Sequence, residues 1–377
     1  MEYEYSQDDE HKIIDALPDN EVNIAKCVSC GANIKFDPSS QLLKCDYCNN
    51  VVDFSKSYAT ENISIENLNS NHSTWEKETQ VFKCDNCGAL EVVSKTEIAK
   101  ACSYCHSTSV VASSSISGVK PDSVLPFRLD SKAANEFAEK WVKGKFFVTK
   151  KFKKSFSPDA LRGVYNPAFV FDSNTFSTYQ GSLGKHYTVT VGSGKNRHTV
   201  TKTRWFRVSG THYERYDNIT INASDMVAEK SMQKISPFSV ELAQTYSENY
   251  LHGFSANHYS KDGLKCWSQA QNIIYKETEK RLKRGLHSKY NFDVIGSDFR
   301  TNTQCYNIGY NYVLLPLYIG HCRYKNKDYN YYINGYNGQI TGKMPISAGK
   351  IFSLIGIGIL VVAGLGLLGY AKATGKI

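Results

Sequence analysis

The amino-acid sequence predicts a multidomain chain: two small all-β units, an α+β domain with mostly antiparallel sheet, and one C-terminal transmembrane helix. Three observations carry this. Four C-x2-C pairs all lie before residue 106, alternating aromatic-rich runs fill the middle, and an apolar run without charge follows near the end. The 377 residues are ample for two or three units. A content of 41% hydrophobic and 21% charged residues marks a globular bulk. A mean hydropathy of −0.41 excludes a polytopic membrane protein and leaves room for a single span.

The boundaries follow from composition. Residues 1–23 are an acidic disordered tail: the first 26 residues carry eight acids and two lysines. Subtracting that −6 from the total of +9 leaves about +15 for the rest of the chain. Residues 24–55 and 78–111 are the two small units. The Asn/Ser/Glu-rich stretch 56–77 and the shorter 112–119 read as linkers, 120–345 as the α+β domain, and 346–377 as a membrane tail anchor.

The cysteine pairs are Cys27 and Cys30, Cys45 and Cys48, Cys84 and Cys87, and Cys102 and Cys105. In each unit 14 residues separate the second cysteine from the third, and Cys27 to Cys84 is 57 residues, the mark of a duplication. Fourteen residues hold two short strands and a turn, which brings two C-x2-C turns together around a tetrahedral ion. In the first unit 33–36 and 42–44 supply the strands and 35–40 the turn. Gly31 and Gly88 follow the first pair of each unit, where a left-handed backbone finishes the knuckle. The pattern predicts two zinc ribbons, with two structural Zn2+ ions held by all eight cysteines and no ligand position open for catalysis. A redox dithiol would be single and followed by a helix. A disulfide framework does not suit a chain that starts without a signal peptide. Cys266, Cys305 and Cys322 read as core thiols, and His106 as a surface residue. Neither ribbon is basic: Lys35 and Lys44 face Asp37 and Asp46, and Lys95 and Lys100 face Asp85, Glu91 and Glu97. Nucleic-acid reading by the ribbons is thus disfavoured.

In the larger domain, 187–191 and 199–208 alternate at period two around GSGKNR, a hairpin. Residues 164–171 and 313–319 read as buried strands, each interrupted by a proline, which argues for an edge or a bulge. Helices are expected over 131–143, capped by Asp130 or Ser131, over 268–286, and over 240–250. Glu277 with Arg281, and Glu279 with Lys283, fit i,i+4 pairs. Residues 306–336 hold nine tyrosines, and Asn334-Gly335-Tyr336-Asn337-Gly338 is hairpin chemistry. Residues 140–154 hold seven lysines and no acid, read as a solvated face plus a strand with core aromatics, or as a surface for anionic lipid or nucleic acid. The run 351–370 has no charged side chain and, at 1.5 Å per residue, spans about 30 Å, the hydrocarbon thickness of a bilayer.

No G-x-S-x-G, no phosphate-cradling glycine loop and no H-E-x-x-H occurs, and His186, His198, His212, His252 and His258 are scattered. The expected function is non-enzymatic.

Several phrases together resemble a family. They are Cys-Val-Ser-Cys-Gly-Ala-Asn-Ile-Lys-Phe-Asp-Pro at 27–38, the second ribbon, Val-Lys-Pro-Asp-Ser-Val-Leu-Pro-Phe at 119–127, Lys-Gly-Lys at 143–145, Arg-Gly-Val-Tyr-Asn-Pro at 162–167, Leu-Leu-Pro-Leu-Tyr at 314–318 and Asn-Gly-Tyr-Asn-Gly at 334–338. The chain resembles the bacterial double-zinc-ribbon, tail-anchored membrane proteins from about residue 24 to the terminal span. Members are often labelled transcription-factor-IIB-type zinc-ribbon or helicase-like, although this chain has no Walker motif. Some members stand beside a phage-shock-type protein and a flotillin-like (SPFH) protein. The resemblance therefore implies a scaffold that recruits a cytosolic partner to the cell membrane in envelope stress, with metal ligation by the eight cysteines. The expected topology is a single pass with the bulk cytoplasmic. The rival reading is a membrane-tethered nucleic-acid binder.

Overall fold

The computed structural model describes residues 26–59, 62–69, 79–94, 101–105, 107–113, 119–156 and 161–373. The acidic stretch 1–23, His106 and most of 112–119 lie outside the described residues.

The first unit is a three-stranded antiparallel sheet of β1 (Ile34–Asp37), β2 (Leu42–Cys45) and β3 (Val51–Val52). Asp37 closes the β1–β2 turn by accepting from the amide and hydroxyl of Ser39 and from those of Ser40. Its partial burial opposes ionisation, but those donors hold the carboxyl below its usual range. Gln41 takes φ 60° to finish the turn.

Next come β4 (Ile63–Ser64) and a 3-10 turn over Ile65–Asn69, both within the stretch that composition reads as linker. The second ribbon contributes β5 (Thr79–Cys84), β6 (Leu90–Ser94) and β7 (Val110–Ser113). Then follow β8 (Ser123–Val124), α1 (Ser131–Gly144), α2 (Lys150–Ser155), β9 (Arg162–Val191) and β10 (His198–Asn222). After these come α3 (Glu229–Ile235), β11 (Gln244–Thr245), β12 (Ser255–Asn257) and α4 (Gly263–Tyr290). The chain continues through β13 (Val294–Ile295), β14 (Arg300–Tyr324), β15 (Lys327–Asn334), β16 (Ile340–Gly342) and α5 (Ala348–Ala373).

Among the described residues, thirteen strands form one sheet, mostly antiparallel, along the path β11-β8-β14-β9-β12-β6-β5-β7, with β4, β10, β13, β15 and β16 branching from it. The predicted hairpin is present, with His198 opposite Val191 and Trp205 opposite Gly184, but its strands run far beyond the alternating segments. Both neighbours of β9 bulge at the same level: β14 between Tyr306 and Gly309, β10 between Tyr216 and Ile219. Asn307 and Asn218 take positive φ there, and Asp172 accepts from the Asn218 amide at 2.7 Å. The bulges divide β9. Before Asp172, residues 164–171 are all buried; from Asp172 to Ser177, half-buried and buried positions alternate.

In the buried half, period two sorts side chains to opposite faces. Tyr165 and Tyr318 join Phe127, Phe36, Phe54 and Tyr250 of one core, which includes the first ribbon. Phe127 stacks on Phe254 at 4.3 Å, and Phe36 and Phe54 meet the Tyr250 ring edge-on at 5.2 and 5.0 Å. Val164, Ala168, Leu315 and Leu317 join Ala89, Tyr104 and Met232 on the other face. The second ribbon extends the main sheet, because β6 pairs with β12 and β12 with β9.

Four expectations need correction. Pro167 and Pro316 sit in interior strands, with Pro167 opposite Leu314 and Pro316 opposite Tyr165. Each is tolerated because it lies where a flanking ladder ends: the Pro167 carbonyl accepts from Ala223, just past β10, and that of Pro316 from Gly335, just past β15. A residue's N and O point to the same side of a strand, so the missing N–H faces a seam rather than a continuous ladder. Residues 240–250 form no α-helix. Two 3-10 turns, Val240–Leu242 and Glu248–Leu251, flank β11, whose backbone pairs with β8 and receives support from Ser57. Residues 150–155 are helical rather than a strand, capped by the Thr149 hydroxyl and burying Phe152. The 268–286 helix is longer at both ends, between an Asp262 N-cap and Asn291 in the left-handed conformation. Of the two candidate caps of α1, Asp130 is the one that accepts, from Ala133. The expected pairs Glu277–Arg281 and Glu279–Lys283 form on α4 at 3.4 and 2.5 Å.

Asp122 accepts from the Tyr312 amide at 2.9 Å, yet burial pushes its pKa up to about 6. Its folded value therefore lies above the unfolded one. The associated stabilisation is complete below about pH 4 and is lost as pH rises through about 6. Asp122→Asn should flatten this part of the pH dependence, read by thermal melts of the full chain in detergent. A variant that loses stability with pH as steeply as the parent would contradict the assignment.

Candidate metal centres

The four knuckles share one backbone geometry. In each, the first cysteine's amide donates to a carbonyl five residues on: Cys27 to Ala32, Cys45 to Asn50, Cys84 to Ala89, Cys102 to Ser107. In three of them the residue after the second cysteine donates back to the first cysteine's carbonyl: Gly31, Asn49 and Gly88, at 2.8, 3.0 and 2.8 Å. These three take φ 74°, 58° and 75°. Glycine or asparagine is needed there because a bulkier residue resists positive φ.

This geometry folds the eight predicted cysteines into two groups of four whose sulfurs lie within 4.8 Å of one another. Cys27 Sγ is 3.5 Å from Cys48 Sγ, and Cys30 is 3.5 Å from Cys45. Cys84 is 3.5 Å from Cys105, and Cys87 is 3.6 Å from Cys102. A tetrahedron with metal–sulfur bonds of about 2.3 Å has edges of roughly 3.8 Å. Both groups suit one tetrahedral, thiolate-bound ion, and two metal sites result.

Crowding splits the thiols. Burial opposes ionisation of Cys27, but the amides of Ser29 and Cys30 and the thiols of Cys48 and Cys30 bring it down to about 6. The Ala32 amide lowers Cys30, but the neighbouring thiols of Cys45 and Cys48 and desolvation outweigh it and push it up to about 12. One sulfur ionises while its neighbour holds a proton. A divalent cation removes that conflict and lets all four bind as thiolates.

One residue of the second centre is not readable from the sequence. Glu91, buried on β6, accepts from the Ser103 amide at 2.6 Å and the Ser103 hydroxyl at 2.8 Å, inside the Cys102–Cys105 knuckle. Ser103 in turn touches Ser255 at the start of β12 at 3.2 Å. The metal knuckle is thereby fastened to the main sheet. Simple alternation along β6 gives no sign of this, because a glutamate there reads as a solvent-facing residue.

The remaining predicted groups do not converge. Cys266 lies on the buried face of α4 with its thiol pushed up to about 12 by burial, and Cys322 is pushed up to about 11, again by burial. Cys305 sits on a different stretch of β14. His252 is buried and brought down to about 4 by desolvation, while His258 stacks on Tyr259. Among the described residues, the two cysteine groups are the clusters able to hold a metal.

The first ribbon, the second ribbon and the start of β9 enclose a cleft of about 680 Å³ lined by Lys35, Asp46, Glu91, Ser103, Arg162 and Phe254, among others. Lys35 and Asp46 pair across its rim at 2.7 Å.

At the C-terminal end of the described residues, α5 carries the apolar segment Ala348–Gly366, with a mean hydropathy of 2.1 and none of it buried. It is the one helix among the described residues that is long and apolar enough to cross a membrane.

These features define a class: a sheet protein with two four-cysteine metal ribbons and one apolar helix. No family model matches the chain, and no solved structure matches it. It is similar to the uncharacterized protein YdjG of Bacillus subtilis (strain 168), at 24% identity over 326 residues, covering 86% of this chain and 91% of that protein.

Metal analysis of the intact protein should return two ions per chain, and Cys45→Ser or Cys102→Ser should each leave one. Glu91→Gln should weaken retention at the second site by about 10–100-fold against a competing chelator and leave the first unchanged. Equal loss from both sites would remove Glu91 from the account.

Proposed function

We propose that the chain is a non-enzymatic, membrane-anchored zinc-ribbon adaptor that holds a cytosolic protein partner at the membrane. The observation that carries this is the pairing of two complete four-thiol centres with one wholly exposed apolar helix. Complete thiolate shells leave no coordination position for a substrate, and such donor sets favour zinc over harder ions. Thiolate ligands must be reduced, which supports a cytosolic location for the ribbons, with α5 as a single pass through the cell membrane. The cleft between the ribbons, with charges of both signs, offers a surface for a polar peptide segment of the partner. From the motif resemblance, the partner class is a flotillin-like (SPFH) or phage-shock-type protein, and the setting is envelope stress.

A specific feature supports the second reading, a membrane-tethered nucleic-acid binder. Residues 185–207 of the β9–β10 hairpin carry six Lys and Arg and no acid, with Trp205 51% and Tyr213 64% exposed nearby. That reading requires RNA or DNA binding that weakens steeply with salt. Absence of binding at low salt dismisses it.

Deleting 351–370 should move both the chain and its partner from the membrane to the soluble fraction, scored by fractionation and partner identification in detergent pull-downs. A partner that stays on the membrane overturns the adaptor reading. Bound metal that is not zinc overturns that assignment alone.

A further inference from the structure

The lysine-rich segment and the apolar helix are joined in space although about 200 residues separate them in sequence. Val148 bridges to Ile346, and the Ser347 amide donates to the Phe147 carbonyl at 2.8 Å. Lys350 lies within the apolar segment of α5. Its Nζ donates to the carbonyls of Phe146 at 2.6 Å and Val148 at 3.0 Å, and sits over the Phe146 ring at 5.3 Å. The charge is thus turned back onto the 146–148 loop, out of the path of the helix.

The loop lies beside the first turns of α5. Phe146 lines a groove of about 320 Å³ together with Leu354 and Ile357. Ile357 is nine residues into the helix, about 13 Å along its axis. Phe146 is nevertheless 64% exposed and Ile346 63%, beside the half-exposed Phe147. On α2, Phe152 is the residue turned into the protein, packed with Val142 and Val148. Lys150, Lys151 and Lys154 are exposed, as is Lys145. No acid occurs from 140 to 154. Exposed aromatics beside a membrane-entering helix, flanked by a one-sign cluster of lysines, is the composition of a surface that lies in the headgroup layer.

We propose that residues 145–154 form a lipid-binding collar around the base of α5. Phe146 and Phe147 enter the interfacial layer, and Lys145, Lys150, Lys151 and Lys154 hold the headgroups of anionic phospholipids. The inference rests on α5 entering the bilayer. It does not depend on the identity of the partner.

Hydrogen exchange on the full chain in lipid nanodiscs tests it, comparing neutral phosphatidylcholine with discs that also contain phosphatidylglycerol. Amides of 145–154 should exchange at least about fivefold more slowly in the anionic discs. The difference should vanish in the triple variant Lys150→Glu, Lys151→Glu, Lys154→Glu, and in the parent protein at high salt, which needs no mutation. Amides of 351–366 report separately on the anchor and should be protected in both lipids. Protected α5 with equal exchange of 145–154 in the two lipids overturns the collar. Unprotected α5 removes the anchor reading, and the collar falls with it. Slowing of 145–154 by a short single-stranded RNA in neutral discs, without any effect of anionic lipid, also overturns the collar and assigns the surface to nucleic acid.

Discussion

The antiparallel pairing of β9 with β14 is the constraint on which the other elements depend. From Arg162 opposite Ile319 to Gln180 opposite Arg300, the two strands supply a double-faced platform. Their buried halves are apolar on both faces, so both must be covered. Tyrosines and Phe127 take one face with the first ribbon, and aliphatic residues take the other with α3 and part of the second ribbon. Beyond the paired bulges at Asp172, α4 covers one side through Leu282 and Leu286 against Leu183 and Val208. The motif residues that carry the family resemblance serve this platform. Asn166 donates to Asn222 at 2.9 Å, and buried Asn334 donates to the Ile235 carbonyl at 2.9 Å. They tie the end of one ladder to the next element.

The ribbons show why metal sites and sheet belong together. A unit of some thirty residues buries too little apolar surface to be stable alone, and a tetrahedral ion replaces the missing core. An ion held by the four sulfurs would order the knuckles, but it would not decide where the ribbon goes. For the second ribbon, Glu91, Ser103 and Ser255 make that decision by linking a knuckle to the strand that continues the sheet. For the first, aromatic contacts of Phe36 and Phe54 do so. The cleft between the ribbons is therefore a product of the whole fold, and its shape is fixed by parts far apart in sequence.

Charge is distributed with the same logic. The first ribbon pairs Lys35 with Asp46, and on α4 Glu277 pairs with Arg281 and Arg284. The lysines of 145–154 have no acids in their own segment, and they stand where α5 leaves the folded body. This one-sign charge lies beside the one described helix that is long and apolar enough to cross a membrane.

The cysteine ligands were legible in the sequence because C-x2-C turns and left-handed glycines are local chemistry, set within about five residues. The 187–208 hairpin and the N-cap of α1 were legible for the same reason, as was the apolar run within α5. The helix expected over 240–250 failed because β11 takes its hydrogen bonds from β8 and Ser57, partners more than a hundred residues away. Pro167 and Pro316 read as edge signals because the sequence does not reveal that a flanking ladder stops beside each one. Glu91 was invisible as a knuckle support for the same reason. By itself the sequence determined which cysteines cluster and which helix is apolar enough for a membrane, since both are properties of short segments. Only the tertiary structure decided what those segments touch, because long-range strand pairing and burial depend on residues that chain order does not bring together.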